Sequence, residues 1–304
     1  MSNQKALGKT IKTVGIVGSG TMGRRIAFSC ILNGKETRLY GRSPEKIQLA
    51  IGAVQGLIEE RTNDGGLSVE ALKPAMKLLS GVTSLDECVS DVDLVIEVVA
   101  ENMQLKREIF SAIDQLAGPE TIICTGTSSI PGSQLADTVT HPENFFNMNF
   151  GGPDDLKVEV MGHPLADQST MDSAAAFIKE IGLIPILVKK EIMGYACNRL
   201  WRAMKKEVLF LINEGHIDAH DIDRGFMLDW DVPIGPCGLM DEIGLDVVRD
   251  IEMNYYKATG DPSDHPPHVL TVLVDQGKLG MKSGQGFYVY PNPAYEQPGF
   301  LKGE

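Results

Sequence analysis

The strongest constraint on the fold of this chain lies in ten residues near its start. An apolar run, Val14-Gly15-Ile16-Val17, ends in Gly18-Ser19-Gly20-Thr21-Met22-Gly23, and a helix-forming stretch from Arg24 to Leu32 follows. A strand that ends in Gly-x-Gly-x-x-Gly and opens a helix is a dinucleotide cradle. Gly18 permits the tight turn, Gly20 lets a pyrophosphate approach the backbone, and Gly23 lets the helix pack closely on the strand. The helix N-terminus then presents free N–H groups and partial positive charge to the phosphates. The motif predicts a Rossmann-type doubly wound α/β sheet with a dinucleotide cofactor.

The end of the second expected strand, Glu36-Thr37-Arg38-Leu39-Tyr40, departs from the usual NAD pattern. NAD-binding units carry an acid there, about 20 residues beyond the glycines, to hold the ribose 2′-hydroxyl. This chain reads Gly41-Arg42-Ser43 instead, and Glu36 lies at the wrong end of the strand to substitute. A glycine makes room, and an arginine and a serine suit a phosphate. The expected cofactor is therefore NADP, with NAD as the alternative. A plainer reading leaves Arg42 solvated and Ser43 capping a helix begun by Pro44 and Glu45; the two Ser43 roles are compatible.

The rest of the first half alternates strand-like and helical stretches. Strands are expected at Thr13–Val17, Thr37–Tyr40, Val82–Thr83, Leu94–Val98, Thr121–Cys124, Phe146–Asn149, Lys157–Met161 and Ile184–Leu187. Between Glu45 and Leu79 two helical stretches flank Asn63-Asp64-Gly65-Gly66, which reads as an inserted helical hairpin. The character changes near residue 190. A long helix is expected from Asn198 to Asn213, with Leu200, Trp201, Met204, Val208, Leu211 and Ile212 at helical spacing as core or dimer contacts. Further helices follow, then one strand at Gly286–Tyr290. The expected domains are 1–189, dinucleotide-binding with the hairpin near 45–79, and 190–304, a mostly helical substrate and dimerisation domain.

Bulk properties narrow the partners. The 304 residues carry a net charge of −13, which argues against nucleic acid or an anionic membrane surface as partner. No apolar run approaches the length of a membrane span, and the polar N-terminus lacks a signal-peptide core. Cys30, Cys88, Cys124, Cys197 and Cys237 are scattered without a CxxC, so reduced thiols in a cytoplasmic protein are expected. His216 and His220 have metal-like spacing, but two ligands do not make a zinc site; no metal is expected.

Further short pieces occur in a fixed order. They are Asp93-Leu94-Val95-Ile96-Glu97, Glu101-Asn102, Thr127-Ser128-Ser129, His141-Pro142-Glu143-Asn144-Phe145, Lys157-Val158-Glu159-Val160, Asn198-Arg199-Leu200, Gly235-Pro236 and Lys282-Ser283-Gly284-Gln285-Gly286-Phe287-Tyr288. With the glycine cradle, this set resembles the short-chain L-3-hydroxyacyl-CoA dehydrogenases and their hydroxybutyryl-CoA and gulonate dehydrogenase relatives, from about Lys12 to Tyr290. The resemblance implies two domains, a homodimer through the helical one, and hydride transfer at carbon 3 of a small-molecule acyl thioester. It places Glu101 and Lys106 at the cofactor, and Ser128, Glu159 and Asn198 around the substrate oxygen, with Glu159 in the place of the acid that orients the family's catalytic histidine.

The histidine itself is absent. Phe145-Phe146-Asn147-Met148-Asn149-Phe150 fixes the register and puts Asn149 at its position; His141 and His163 are poor stand-ins. Asparagine does not titrate near neutrality, so it cannot abstract a proton, though it can bind a carbonyl or a water. Gly126 replaces the family's asparagine, and Phe150-Gly151-Gly152-Pro153 replaces its Phe-Phe-Asn-Pro; these glycines predict a wider or differently shaped pocket. Three functions follow. One is an NADP-preferring oxidoreductase of a 3-hydroxy/3-keto compound. The second is reduction of a C=N group, or of a keto substrate without CoA, with Glu159 as counter-ion to an iminium. The third is a silenced cofactor-binding protein.

Overall fold

The computed structural model describes residues 9–63, 69–152 and 155–304. The turn Asp64–Gly66 of the expected hairpin and Pro153 lie outside the described residues. The described chain runs β1 (Thr13–Val17), α1 (Thr21–Leu32), β2 (Glu36–Tyr40), α2 (Pro44–Asn63), α3 (Val69–Met76), β3 (Leu79–Val82), α4 (Leu85–Val89), β4 (Leu94–Glu97), α5 (Met103–Leu116), β5 (Ile122–Thr125), β6 (Phe145–Asn149), β7 (Lys157–Met161), α6 (Gln168–Glu180) and β8 (Ile184–Val188). The helical part follows with α7 (Cys197–Asn213), α8 (Ala219–Trp230), α9 (Pro236–Ile243), α10 (Leu245–Thr259) and α11 (His268–Asp275).

All eight strands form one sheet in the order β3-β2-β1-β4-β5-β6-β7-β8. Pairing is parallel except between β6 and β7. The chain order reverses between β1 and β4, so a crevice opens at the carboxyl ends of those strands, where ligands bind in doubly wound folds. Strand alternation builds two cores. One face carries Val14, Ile16, Leu39, Leu94, Ile96, Phe146, Met148, Val158 and Val160, covered by α1, α2 and α6. The other carries Val17, Val95, Ile123 and Phe145, covered by α4 and α5. With Phe146, Met148, Val158 and Val160 on the first face, Asn147, Asn149, Glu159 and Met161 are directed to the second. Six expected strands shift by a residue or more at their ends, but each expected strand of the first half is present.

The chain divides into two compact units, Met1–Ala196 and Cys197–Glu304. In the second, Val208, Leu209, Met227, Met240, Leu245, Val248, Leu270 and Tyr288 form a separate core, against which Trp201, Met204 and Ile212 pack. Leu200 instead is 75% exposed.

The expected strand at Gly286–Tyr290 is absent; the segment makes only isolated bridges, Gly280 with Gln285 and Gln285 with Val289. The reason is a buried carboxylate. Asp241 accepts the N–H groups of Phe287 at 3.0 Å and Tyr288 at 2.9 Å, and the Tyr290 hydroxyl at 3.2 Å, so these donors are spent on a side chain rather than a neighbouring strand. Asp223 beside it accepts the N–H groups of Cys237 and Gly238 at the start of α9 and the Tyr288 hydroxyl. Burial raises both carboxyl groups above the ordinary aspartate range, against the hydrogen bonds that favour the charged form. Asp241→Ala should unfasten 286–290 and cost about 3 kcal/mol in urea unfolding, since several buried donors lose their partner; unchanged stability would contradict this account.

Candidate active site

The glycine cradle has the geometry its spacing implies. Gly18 has φ +132°, and a Cβ there would stand 2.6 Å from the Val98 carbonyl oxygen. A Cβ on Gly23 would collide with the Gly18 carbonyl oxygen. A Cβ on Gly20 would meet nothing within 4 Å, so the space before that backbone is open. Helix α1 begins with Gly20 as its N-cap and has no side-chain cap, which leaves its first N–H groups to the crevice. Ser19, Thr21 and Met22 fill the intervening positions, and the Ser19 carbonyl accepts Arg24 Nε at 2.9 Å. An open backbone face at an uncapped helix N-terminus fits a dinucleotide pyrophosphate.

At the end of β2, Gly41 is buried while Arg42 is exposed. A Cβ on Gly41 would stand 2.8 Å from Ser19 Oγ and 2.9 Å from Ile47 Cδ1, so an acid at this position would require both side chains to move. Ser43 Oγ accepts the Lys46 N–H at 3.4 Å, capping α2. Arg42 and Ser43 thus follow a strand end where glycine lets the Ser19 and Ile47 side chains pack close.

On the other side of the crevice, β4 ends in Glu97, which is fully buried. Its carboxylate accepts the Lys106 ammonium at 2.7 and 2.9 Å, the Val99 N–H at 2.7 Å and the Thr125 hydroxyl at 2.8 Å. Lys106, also buried, lies 3.5 Å from Glu101. Glu101 in turn accepts the Thr127 hydroxyl and the Ser129 hydroxyl and N–H. Burial raises the Glu101 carboxyl, but these donors and Lys106 outweigh it and hold the group below the usual glutamate range. The structure therefore brings Glu101 and Lys106 into one network with the turn that carries Ser128, which is exposed. Glu97, Thr125, Thr127 and Ser129 had no assigned role in the sequence reading. An acid closing a wholly apolar run, with a lysine nine residues on, was the available signal for the first of them.

Asn149 and Glu159 are direct cross-strand partners in the antiparallel β6–β7 pair. Asn149 is 6% exposed and Glu159 1%. Asn149 Oδ1 accepts the Gly151 N–H at 3.3 Å, and Glu159 Oε1 accepts the Ala196 N–H at 3.0 Å. His163 uses both ring nitrogens on the backbone, at Pro142 O and Leu165 N, and His141 pairs with Glu143 on the surface. Asn198 stands in the first turn of α7, in the second unit.

The expected widening at the glycines is not found at two of them. A Cβ on Gly126 would stand 2.6 Å from Val98 Cγ1 and 3.0 Å from the Glu97 carbonyl oxygen, so Val98 occupies the volume a side chain would take. Gly151, at φ +64°, has the Asp155 carboxylate in the corresponding space, fixed by the Gly152 N–H at 2.7 Å and Lys157 at 2.9 Å. The glycines admit close neighbours rather than emptying the site.

An open glycine turn at the switch point of a doubly wound sheet defines a dinucleotide-dependent enzyme class. Comparison with known proteins makes the class specific. Residues 13–192 match the family model of the 3-hydroxyacyl-CoA dehydrogenase NAD-binding domain, and residues 194–290 match that of its C-terminal domain. The chain belongs to the 3-hydroxyacyl-CoA dehydrogenase family and is a nicotinamide-dependent oxidoreductase. It is 30% identical to the 3-hydroxybutyryl-CoA dehydrogenase of Bradyrhizobium diazoefficiens over 92% of this chain and 96% of that one. It is 29% identical to the 5-formyl-3-hydroxy-2-methylpyridine 4-carboxylate 5-dehydrogenase of Mesorhizobium japonicum over 92% and 91%. The crystal structure of the (S)-3-hydroxybutyryl-CoA dehydrogenase of Ralstonia eutropha superposes with a TM-score of 0.87 at 33% identity, over 93% of this chain and all of that one. Among the described residues no helix is long and apolar enough to cross a membrane.

Because Val98 fills the Gly126 gap, Gly126→Ala should cost roughly 1–3 kcal/mol by overpacking. Adding Val98→Ala should remove that penalty, so that the double variant is no less stable than Val98→Ala alone. Urea unfolding of the set checks this, and a fully stable Gly126→Ala would refute the packing argument.

Proposed function

We propose that the protein is an NADP-preferring oxidoreductase that transfers hydride at carbon 3 of a 3-hydroxy/3-keto compound without an imidazole at the reacting oxygen. The observation that carries this reading is the register of Asn149 with Glu159: the family's acid is kept, and an amide faces it. Gly18, Ser19, Gly20, Thr21, Met22 and Gly23 would hold the pyrophosphate. Arg42 and Ser43 would take the 2′-phosphate, and Glu101 and Lys106 would line the continuing cofactor site. When bound, the nicotinamide supplies the hydride.

The chain's own residues then handle oxygen and proton. The Ser128 hydroxyl and the Asn149 amide would hydrogen-bond the substrate oxygen, the role the family resemblance also gives to Asn198. The proton passes between that oxygen and a water held by Asn149 and Glu159. Losing a positioned acid–base group costs about 10²–10⁴-fold in rate, so alcohol oxidation should be slow for this family. A second reading rests on the same pair. A C=N acceptor that already carries positive charge needs less acid, and Glu159 would be its counter-ion. The Mesorhizobium relative, named for a pyridine carboxylate, supports a substrate without CoA.

Location and assembly belong to the same proposal. Cys30, Cys88, Cys124 and Cys237 are buried free thiols, and burial pushes Cys30 and Cys88 up to about 12, which fits a reducing cytoplasm. Exposed Leu200, Phe210, Leu228 and Trp230 in the helical unit fit a homodimer formed through it.

Fluorescence titration should show tighter binding of NADPH than of NADH, and Arg42→Ala should weaken NADPH about 10–100-fold with little effect on NADH. Tighter NADH binding would sink the NADP reading. The preferred cofactor should then be screened against acetoacetyl-CoA, free 3-keto acids and ketone–amine mixtures. Asn149→His should raise 3-hydroxy substrate oxidation by at least about tenfold if a C=O/C–OH pair is the substrate. If a C=N group is the substrate, it should not. Turnover of acetoacetyl-CoA by the unaltered protein at rates usual for the family would refute the importance of Asn149.

A further inference from the structure

The last stretch of the first unit, 191–196, lies along the β6–β7 face that presents Asn149 and Glu159. Ile192 donates its N–H to Met161 Sδ at 3.3 Å, and Ala196 donates its N–H to Glu159 Oε1 at 3.0 Å. Glu191 Oε1 accepts the Ser133 N–H at 2.8 Å. Between these anchors the chain reverses through two left-handed residues, Gly194 at φ +80° and Tyr195 at φ +54°. A non-glycine residue adopts that conformation at a cost, so the surroundings must hold it there.

Tyr195 is turned inward and is 1% exposed. Its hydroxyl donates to the Thr127 carbonyl at 2.6 Å and accepts the Asn147 amide N–H at 2.9 Å. The other amide hydrogen of Asn147 reaches the Ile130 carbonyl at 2.9 Å. Asn147 Oδ1 is buried with no hydrogen-bond partner. Gly132 leaves it space, since a Cβ there would collide with that oxygen. An orphan buried acceptor costs stability, and packing alone would favour an apolar side chain here. What the amide and the phenol achieve together is specific: they grip the backbone on both sides of Ser128, at residues 127 and 130. The residue after Tyr195 grips Glu159.

We propose that Tyr195 is a positioning residue, whose hydroxyl sets the Ser128 turn and whose chain neighbour sets Glu159, so that one segment fixes both groups relative to each other. The inference rests on the functional reading of Ser128 and Glu159 given above, and neither the cradle nor Arg42 enters it. Catalytic groups displaced by a fraction of an ångström lose rate without losing substrate.

Tyr195→Phe keeps the ring and removes only the hydroxyl. Hydrogen exchange on the full chain should show the amides of 127–130 exchanging at least about tenfold faster, with β1 and α1 unchanged. With the best substrate of the panel, kcat should fall about tenfold while KM and the NADPH dissociation constant stay within about twofold. Asn147→Ser, which shortens the amide and leaves the phenol, should give the same pattern more weakly. Unchanged exchange at 127–130 overturns the proposal whether or not a substrate has been found. A fall in kcat accompanied by weaker NADPH binding and protein-wide loss of protection also overturns it, because the hydroxyl would then be a general structural group. If no compound of the panel is turned over, the functional reading fails, and the exchange result still decides what Tyr195 holds in place.

Discussion

The site depends on one buried ion pair. Glu97 and Lys106 are both withdrawn from water at the end of β4, next to the switch point of the sheet. Taking two charges out of water is costly, and breaking such a pair by removing one partner costs about 3–5 kcal/mol. Here the carboxylate accepts four hydrogen bonds from three groups, two of which fix neighbouring chain: the Val99 N–H just beyond β4 and the Thr125 hydroxyl at the end of β5. The pair thereby locks the 98–101 segment. That segment lies against Gly18 on one side and Gly126 on the other. It also places Glu101 to gather Thr127 and Ser129 around the Ser128 turn. The cradle and the Ser128 turn are thus tied to one another through the Glu97–Lys106 pair.

The chemistry follows from the single antiparallel pairing in an otherwise parallel sheet. Reversing β7 puts Glu159 opposite Asn149 at closest cross-strand range, deep enough to exclude bulk water. A histidine in this place would be oriented and charged by the acid. An amide is oriented equally well but cannot titrate, so the pair keeps its geometry and gives up its proton reservoir. The site can hold an oxygen or a water, and it can balance a cation.

Much of this was legible before any coordinates. Strands inside a parallel sheet are recognisable because both of their faces must be apolar, and the runs at 14–17 and 94–96 show it. The cradle and the Asn149 register were readable for the same reason: each is local in sequence. The misreadings were non-local. Gly286–Tyr290 has the composition of a strand, but Asp241, some 45 residues earlier, takes its N–H groups. Gly126 and Gly151 looked like removed side chains, yet Val98 and Asp155 fill the volumes. Tyr195 gave no periodic signal at all, because its contacts come from a left-handed turn that aims the phenol at β6 and at the turn after β5.

The central claim is that no imidazole serves the reacting oxygen, and the most direct measurement of it is the pH profile of kcat for carbonyl reduction by the unaltered protein. The structure predicts a profile without an inflection between about pH 6 and 7.5, where a catalytic histidine would titrate. A clear inflection in that range, absent from a His163→Gln or His141→Gln variant, would contradict it.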